Sequence, residues 1–254
     1  MQERKPAGRQ AALVTGAAQG IGAAIALGLA RDGFDLVVAS TRPGKLAGIV
    51  AQLEAAGARA VPVALDLLSQ SSIEQAMAEA IGAFGHIDVL VNNAGIPLRK
   101  AALEVTAEEW EKVIGTNLTG TFFLSQQMGR HLVGSGRPGC IINIASTHGV
   151  VALAERSSYG ISKAAIIHMT KFLAIEWAEH GIRVNAIAPG TVATPSRAAT
   201  MADPKAREMM VNRVPLRRFA TAEEVAGAVS YLASPRASYI TGHTLLLDGG
   251  LTAY

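Results

Sequence analysis

The chain has 254 residues, half of them hydrophobic, enough to bury the core of one α/β domain spanning 1–254. Its net charge of +3 is scattered, with no basic stripe interleaved with aromatics, so nucleic acid is a poor partner. A single cysteine, Cys140, excludes an internal disulfide framework and fits a reducing, cytoplasmic setting.

The six histidines include no pair at metal-ligand spacing, and no metal site is expected. The segment Met1 to Arg9 is locally basic and reads as a flexible tail. Behind it, Ala11 to Ala30 carries no charge and mimics a signal peptide or membrane span. Gly16, Gln19, Gly20, Gly22 and Gly28 fall inside that stretch at the spacing of a phosphate loop. The expectation is therefore a chain without a membrane segment.

Leu13-Val14 reads as a buried strand running into Thr15 to Gly22, and Ala23 to Arg31 as a helix. A glycine turn at a helix N-terminus offers backbone N–H groups and the helix dipole to a diphosphate. Any Cβ there would obstruct the close approach. The spacing is G-x-x-x-G-x-G, and a flexible connection is the plainer alternative.

The next strand, Asp35 to Ala39, ends in Ser40-Thr41-Arg42, with no acid to hold the adenine ribose hydroxyls of NAD. Two hydroxyls followed by a guanidinium suit the 2′-phosphate of NADP, though NAD stays possible. A helix to Ala56 leads to the strand Ala60 to Leu65. Asp66 at its carboxyl end can accept from an adenine amino group, or cap the helix beginning near Ser71. Ser71, Thr106 and Thr221 each stand three residues before a Glu, the spacing of a capping box.

Ile87 to Val91 is a fourth strand, ending in Asn92-Asn93-Ala94-Gly95. Asn side chains there can fasten neighbouring strands. Strands alternating with helices imply a doubly wound parallel sheet with ligands at its carboxyl ends. Thr106 to about Met128 is helical, interrupted by Asn117-Leu-Thr-Gly120, a poor helix interior. That interruption is either a kink or a polar group placed for a buried water chain.

Ile141 to Ala145 form the fifth strand and present Ser146, whose hydroxyl can donate to a carbonyl oxygen as it gains charge. No G-x-S-x-G surrounds it, which argues against a serine hydrolase. His148 reads as a loop residue. In the helix Tyr159 to Glu176, Tyr159 and Lys163 share one face. A cation beside a tyrosine favours the phenolate and lowers a pKa that is ordinarily about 10. The strand Ile182 to Ile187 precedes Pro189-Gly190. Residues 191–213, poorly patterned and rich in Met, suit a substrate lid. A helix from Thr221 and the run Thr244 to Asp248 complete the sheet.

Thr15-Gly16-x-x-x-Gly20-x-Gly22, Asn92-Asn-Ala-Gly95, Asn117, Ser146, Tyr159-x-x-x-Lys163 and Pro189-Gly190 together resemble the short-chain dehydrogenase/reductase family over nearly the whole chain. The nearest branch is that of 3-oxoacyl carrier-protein reductases and polyol dehydrogenases. The resemblance implies a single-domain Rossmann-like fold of about seven strands and a tetrad of Asn117, Ser146, Tyr159 and Lys163. Tyr159 would pass the proton and Ser146 hold the substrate oxygen. Lys163 would bind the nicotinamide ribose and lower the tyrosine pKa, and Asn117 would order a relay water. Cofactor contacts would come from Gly16, Gln19, Gly20, Ile21, Gly22, Ser40, Thr41, Arg42, Asp66, Leu67, Asn93, Ala94, Gly95, Pro189, Gly190, Val192 and Thr194.

The implied activity is hydride transfer between NADP(H), or NAD(H), and a small ketone or secondary alcohol, in a homotetramer or homodimer. The missing acid at Ser40 is the chief departure from the family pattern. The alternative is a dinucleotide-binding regulator or scaffold without catalysis.

Overall fold

Uninterrupted aliphatic runs become strands buried on both faces, as parallel strands between helix layers must be. Ala11–Thr15 (β1) is buried along its whole length, and Asp35–Ser40 (β2) up to its last residue. The structure, a computed structural model, describes residues 8–253, without the side chains of Ala199 and Thr200. Residues 1–7 of the expected flexible tail lie outside the described residues. Arg9 departs from that expectation, because its guanidinium donates to the carbonyls of Gly33 and Gly57 at 3.0 and 2.6 Å.

The remaining strands are Ala60–Ala64 (β3), Val89–Asn92 (β4), Gly139–Ile144 (β5), Ile182–Pro189 (β6) and Thr244–Leu247 (β7). Among the described residues they form one parallel seven-stranded sheet in the order β3-β2-β1-β4-β5-β6-β7. The fold is Rossmann-like, as expected.

One face is covered by Gly20–Arg31 (α1), Ala47–Ala55 (α2) and Ala222–Ala233 (α9), around Ile25, Leu29, Leu36, Leu53 and Val229. The other is covered by Gln70–Phe84 (α3), Gly120–Ser135 (α5) and Ser157–Trp177 (α6), around Met77, Leu90, Leu124, Met128 and Leu173. Between α3 and α5 lies Ala107–Ile114 (α4).

The capping boxes at Thr106 and Thr221 are present, each with a reciprocal Glu bond. The one expected at Ser71 is not. Helix α3 starts a residue earlier and is capped by Ser69, whose hydroxyl accepts from the Ser72 amide at 3.3 Å. The sequence pattern missed this because Ser69 and Ser71 are chemically equal candidates. The lid region is more ordered than its composition implies, with helices Ala198–Ala202 (α7) and Pro204–Asn212 (α8). Asp203 caps α8 by accepting from the amides of Lys205 and Ala206.

A buried polar ladder ties α5 and α6 to the sheet. Asn92 donates to Ser125 at 2.9 Å and to Asn143 at 2.8 Å, and Asn143 donates to Thr170 at 2.9 Å. All four side chains are buried. Buried polar groups are costly when one partner is removed, since the others lose theirs without gaining water. Asn143→Ala should therefore lower the unfolding free energy by about 2–4 kcal/mol. A loss under about 0.5 kcal/mol in urea denaturation would show that the ladder is not holding these layers together.

Candidate active site

The strand order reverses between β1 and β4, and a cavity of about 1150 Å³ opens at the carboxyl ends of the strands there. Its first wall is the turn after β1. Gly16 and Gly20 hold φ of 65° and 60°, open to glycine at little cost. A Cβ on Gly16 would stand 3.0 Å from the Asn93 side chain, and one on Gly22 would collide with the Gly16 carbonyl. Gln19 precedes α1 in extended conformation and gives the helix no side-chain cap. The first-turn N–H groups and the positive helix end are left for a ligand, and a diphosphate fits both.

The second wall explains the Asn-Asn-Ala-Gly run. Thr15 Oγ1 accepts from the amides of Asn93 and Ala94, both at 3.0 Å, and Asn93 Nδ2 donates to the Thr15 carbonyl at 2.9 Å. The loop after β4 is thus stitched to the glycine turn. The sequence reading gave the fastening of strands to both asparagines; Asn92 joins β4 to β5, while Asn93 holds the turn.

Past the carboxyl ends of β2 and β3, Ser40, Thr41, Asp66 and Leu67 line the cavity. Asp66 Oδ1 accepts from the Leu68 amide at 2.9 Å, so it closes its own turn and leaves the cap of α3 to Ser69. The Arg42 side chain is exposed and outside the lining. Its backbone N–H donates to Ser40 Oγ at 3.2 Å.

At the opposite end Ser146, Tyr159 and Lys163 line the cavity together. The turn 147–149 lies directly against α6. A Cβ on Gly149 would stand 2.7 Å from the Lys163 backbone, and one on Gly160 2.9 Å from the His148 carbonyl. Two absent side chains thereby let the turn that carries Ser146 pack against the helix that carries Tyr159. Pro189, Gly190, Val192 and Thr194 close the wall from β6.

The electrostatics differ from the sequence expectation. Burial raises the Tyr159 hydroxyl above its ordinary range, while the Ser146 hydrogen bond, Arg197 and Arg156 pull the other way. Lys163 is not among those opposing groups. Its ammonium donates to the Ile144 carbonyl at 2.7 Å and sits 5.8 Å from the tyrosine ring centre. Buried without a carboxylate, Lys163 is itself pushed down to about 8.

Asn117 sits in a π-helical turn, Gly115–Thr119, between α4 and α5. The composition that looked like a broken helix is therefore an inserted residue in a continuous one. Its side chain is buried. It accepts from the Ile96 amide at 2.8 Å and donates to the Ile96 carbonyl and to Ser162, at 3.0 and 3.1 Å. It does not line the cavity, although a Cβ on Gly95 would meet both Asn117 Oδ1 and Lys163 Nζ, at 3.1 and 3.6 Å.

Sequence reasoning overlooked Arg156, Arg197 and Arg213, which line the same end. A signal was available. Arg156 stands three residues before Tyr159, and Arg197 and Arg213 bracket α7 and α8.

A family model described as enoyl-(acyl carrier protein) reductase matches residues 16–252. The chain is 39% identical to a 3beta-hydroxysteroid dehydrogenase of Eggerthella lenta, over 95% of this chain and 93% of that protein. It is 42% identical to a cis-4-hydroxycyclohexanecarboxylate dehydrogenase of Sinomonas cyclohexanicum, over 95% and 96%.

A crystal structure from Agrobacterium tumefaciens, a candidate 2-deoxy-D-gluconate 3-dehydrogenase with bound NADP, superposes with a TM-score of 0.89. It is 35% identical and covers 96% of this chain and 97% of its own. Sugar dehydrogenases and 3-oxoacyl carrier-protein reductases stand among the other relatives. The chain belongs to the short-chain dehydrogenase/reductase family. It is a nicotinamide-dependent oxidoreductase acting on CH–OH groups.

Lys163 generates a testable cost. In the unfolded chain its amine holds a proton up to its ordinary 10.5, but in the fold only up to about 8. Between those values the unfolded state binds more protons, so the penalty on folding is full below pH 8 and fades as pH rises through the window. Lys163→Met should therefore raise Tm at pH 7 by a few degrees, roughly, with the gain shrinking above pH 8. Equal or lower Tm at pH 7 in scanning calorimetry would mean the buried ammonium carries no such cost.

Proposed function

We propose that Tyr159, Ser146, Lys163 and Asn117 interconvert a secondary alcohol and its ketone, with NADP(H) as the preferred cofactor and NAD(H) as the lesser one. One observation carries this reading: the serine, tyrosine and lysine share the end of a cavity whose other end is a glycine turn at an uncapped helix N-terminus. A nicotinamide cofactor held there would supply or accept the hydride. Gly16, Gln19, Gly20, Ile21 and Gly22 would hold its diphosphate, Asp66 and Leu67 the adenine, and Asn93, Ala94, Gly95, Pro189, Gly190, Val192 and Thr194 the remainder.

The chain's own work is positional and electrostatic. In reduction, Ser146 donates a hydrogen bond to the substrate carbonyl oxygen and Tyr159 delivers the proton as that oxygen gains charge. In oxidation Tyr159 takes the proton back. Its raised pKa keeps it protonated at neutral pH, which suits the donor role. Lys163, already desolvated, would act on both the ribose and the phenol once a cofactor fills the gap between them. Asn117 would hold Ile96 and Ser162 so that the loop and α6 stay in register, with a relay water beside Lys163 as its further role.

Two hydroxyls line the cavity where an acid would favour NAD, and Arg42, exposed and outside the lining, follows them in sequence with its backbone N–H bonded to Ser40. This supports NADP. Residues 1–254 act as a single oxidoreductase domain, with 191–213 as its lid. Ile161, Phe172 and Ile175 are exposed along one side of α6 and Phe122 on α5, which supports pairing of copies into a homodimer or homotetramer. The single buried cysteine supports a cytoplasmic setting.

Assay of ketones, 3-oxoacyl thioesters and polyols with each cofactor, by nicotinamide absorbance, tests the reaction. Tyr159→Phe should keep cofactor affinity and lose turnover by about 10²–10⁴-fold. Near-normal turnover in that variant would remove Tyr159 as the proton donor. Arg42→Ala should weaken NADPH binding by about tenfold more than NADH binding. Equal losses in calorimetric titrations of the two cofactors would remove the NADP preference.

A further inference from the structure

Beyond Tyr159 the cavity is lined by Arg99, Arg156, Arg197 and Arg213. Among the described lining residues only Asp66 and Glu155 are acidic. Asp66 sits after β3 at the adenine side, and Glu155 is taken by Arg99 at 2.7 Å. Arg156 and Arg197 are in no ion pair among the described residues. The polar contact of Arg156 is a long one, 3.5 Å to the Leu98 carbonyl.

These cations act on one another. Burial and the charges of Arg197 and Arg99 depress Arg156, and burial with the charges of Arg156, Arg197 and Arg213 depresses His148. His148 Nδ1 is buried and has no partner, a further polar atom at the same end. Like charges gathered at a partly desolvated wall cost free energy until an anion joins them. The cofactor's phosphates do not meet this need, because the glycine turn and Ser40 lie at the other end of the cavity. Met209 and Met210 line the cavity beside these arginines and offer apolar contact to a carbon skeleton.

We infer that the substrate carries its own anionic group, a carboxylate or a phosphate ester, which docks among Arg156, Arg197 and Arg213 while its reacting carbon stands at Tyr159. This rests on the oxidoreductase reading above. In the oxidative direction the carbinol carbon would give a hydride to a bound oxidised nicotinamide, the hydroxyl proton would go to Tyr159 in its phenolate form, and a C=O bond would form. The anionic group is unchanged and serves as the anchor, held by the forked donors of the guanidinium groups.

The test uses the full-length enzyme with NADPH and NADH on matched pairs. These are 4-oxopentanoate against its methyl ester, 4-oxocyclohexanecarboxylate against its methyl ester, and dihydroxyacetone phosphate against dihydroxyacetone. The anion should exceed its neutral partner in kcat/KM by about tenfold or more in at least one pair, mostly through KM. A preference in the ester pairs assigns a carboxylate, and one confined to the third pair assigns a phosphate ester.

That ratio should fall by about tenfold in Arg197→Gln and Arg156→Gln, whose Tm values report folding. Anion and neutral partner reduced alike in all three pairs, or ratios untouched by both substitutions, overturn this inference and leave the oxidoreductase reading standing. No turnover of any of these compounds, nor of the wider ketone and polyol panel, removes that reading and this inference with it.

Discussion

A lysine side chain with no carboxylate beside it is held out of water at the carboxyl edge of β5, and the site is arranged around that fact. The Lys163 ammonium meets the Ile144 carbonyl at 2.7 Å and is pushed down to about 8 by burial. A buried cation without a counter-ion costs stability, so its persistence requires surroundings rigid enough to prevent its escape. Those surroundings are visible: Gly149 and Gly160 let the serine turn lie on α6, and the Asn92–Asn143–Thr170 ladder fixes α6 against the sheet. The stability lost at one amine is offset by packing elsewhere, and the result is a charge delivered where nearby water cannot screen it.

The same constraint explains the state of Tyr159. Two residues buried together respond in opposite directions, since burial disfavours the phenolate and the ammonium alike. Proximity in sequence therefore does not guarantee that the cation lowers the phenol. Here the opposing cations are Arg197 and Arg156. The electrostatics at Tyr159 are shared between its own helix and the arginines of the neighbouring cavity wall.

The strands, their parallel order and the glycine turn were legible in the sequence because each rests on a local rule. Apolar runs such as Asp35 to Ala39 admit one reading, and glycines between a strand and a helix mark a turn whatever its use. The asparagines were legible in kind but not in partner: nothing local to Asn92 names Ser125 or Asn143, which lie in other elements. The cap of α3 was misplaced by two residues since serines at 69 and 71 compete for it, and packing decides. Arg156, Arg197 and Arg213 were overlooked for a different reason. Each is an ordinary surface residue until the fold brings the lid and the start of α6 to one wall.

The cavity is thus bounded by two kinds of structure. On the sheet side, each functional group is positioned by buried polar bonds that persist whatever the ligand. On the lid side, α8 contributes no buried residue at all, so little of the core's free energy holds it in place. What holds such a segment over a site must come largely from the occupant. Met209 and Met210 supply adaptable apolar contact and Arg197 and Arg213 supply charge at its two ends. Binding energy from parts of a ligand remote from its reacting carbon can be used to order such a segment and to exclude water. Under the proposed reading the rigid wall sets the chemistry, and the segment with no buried residue sets the choice of substrate.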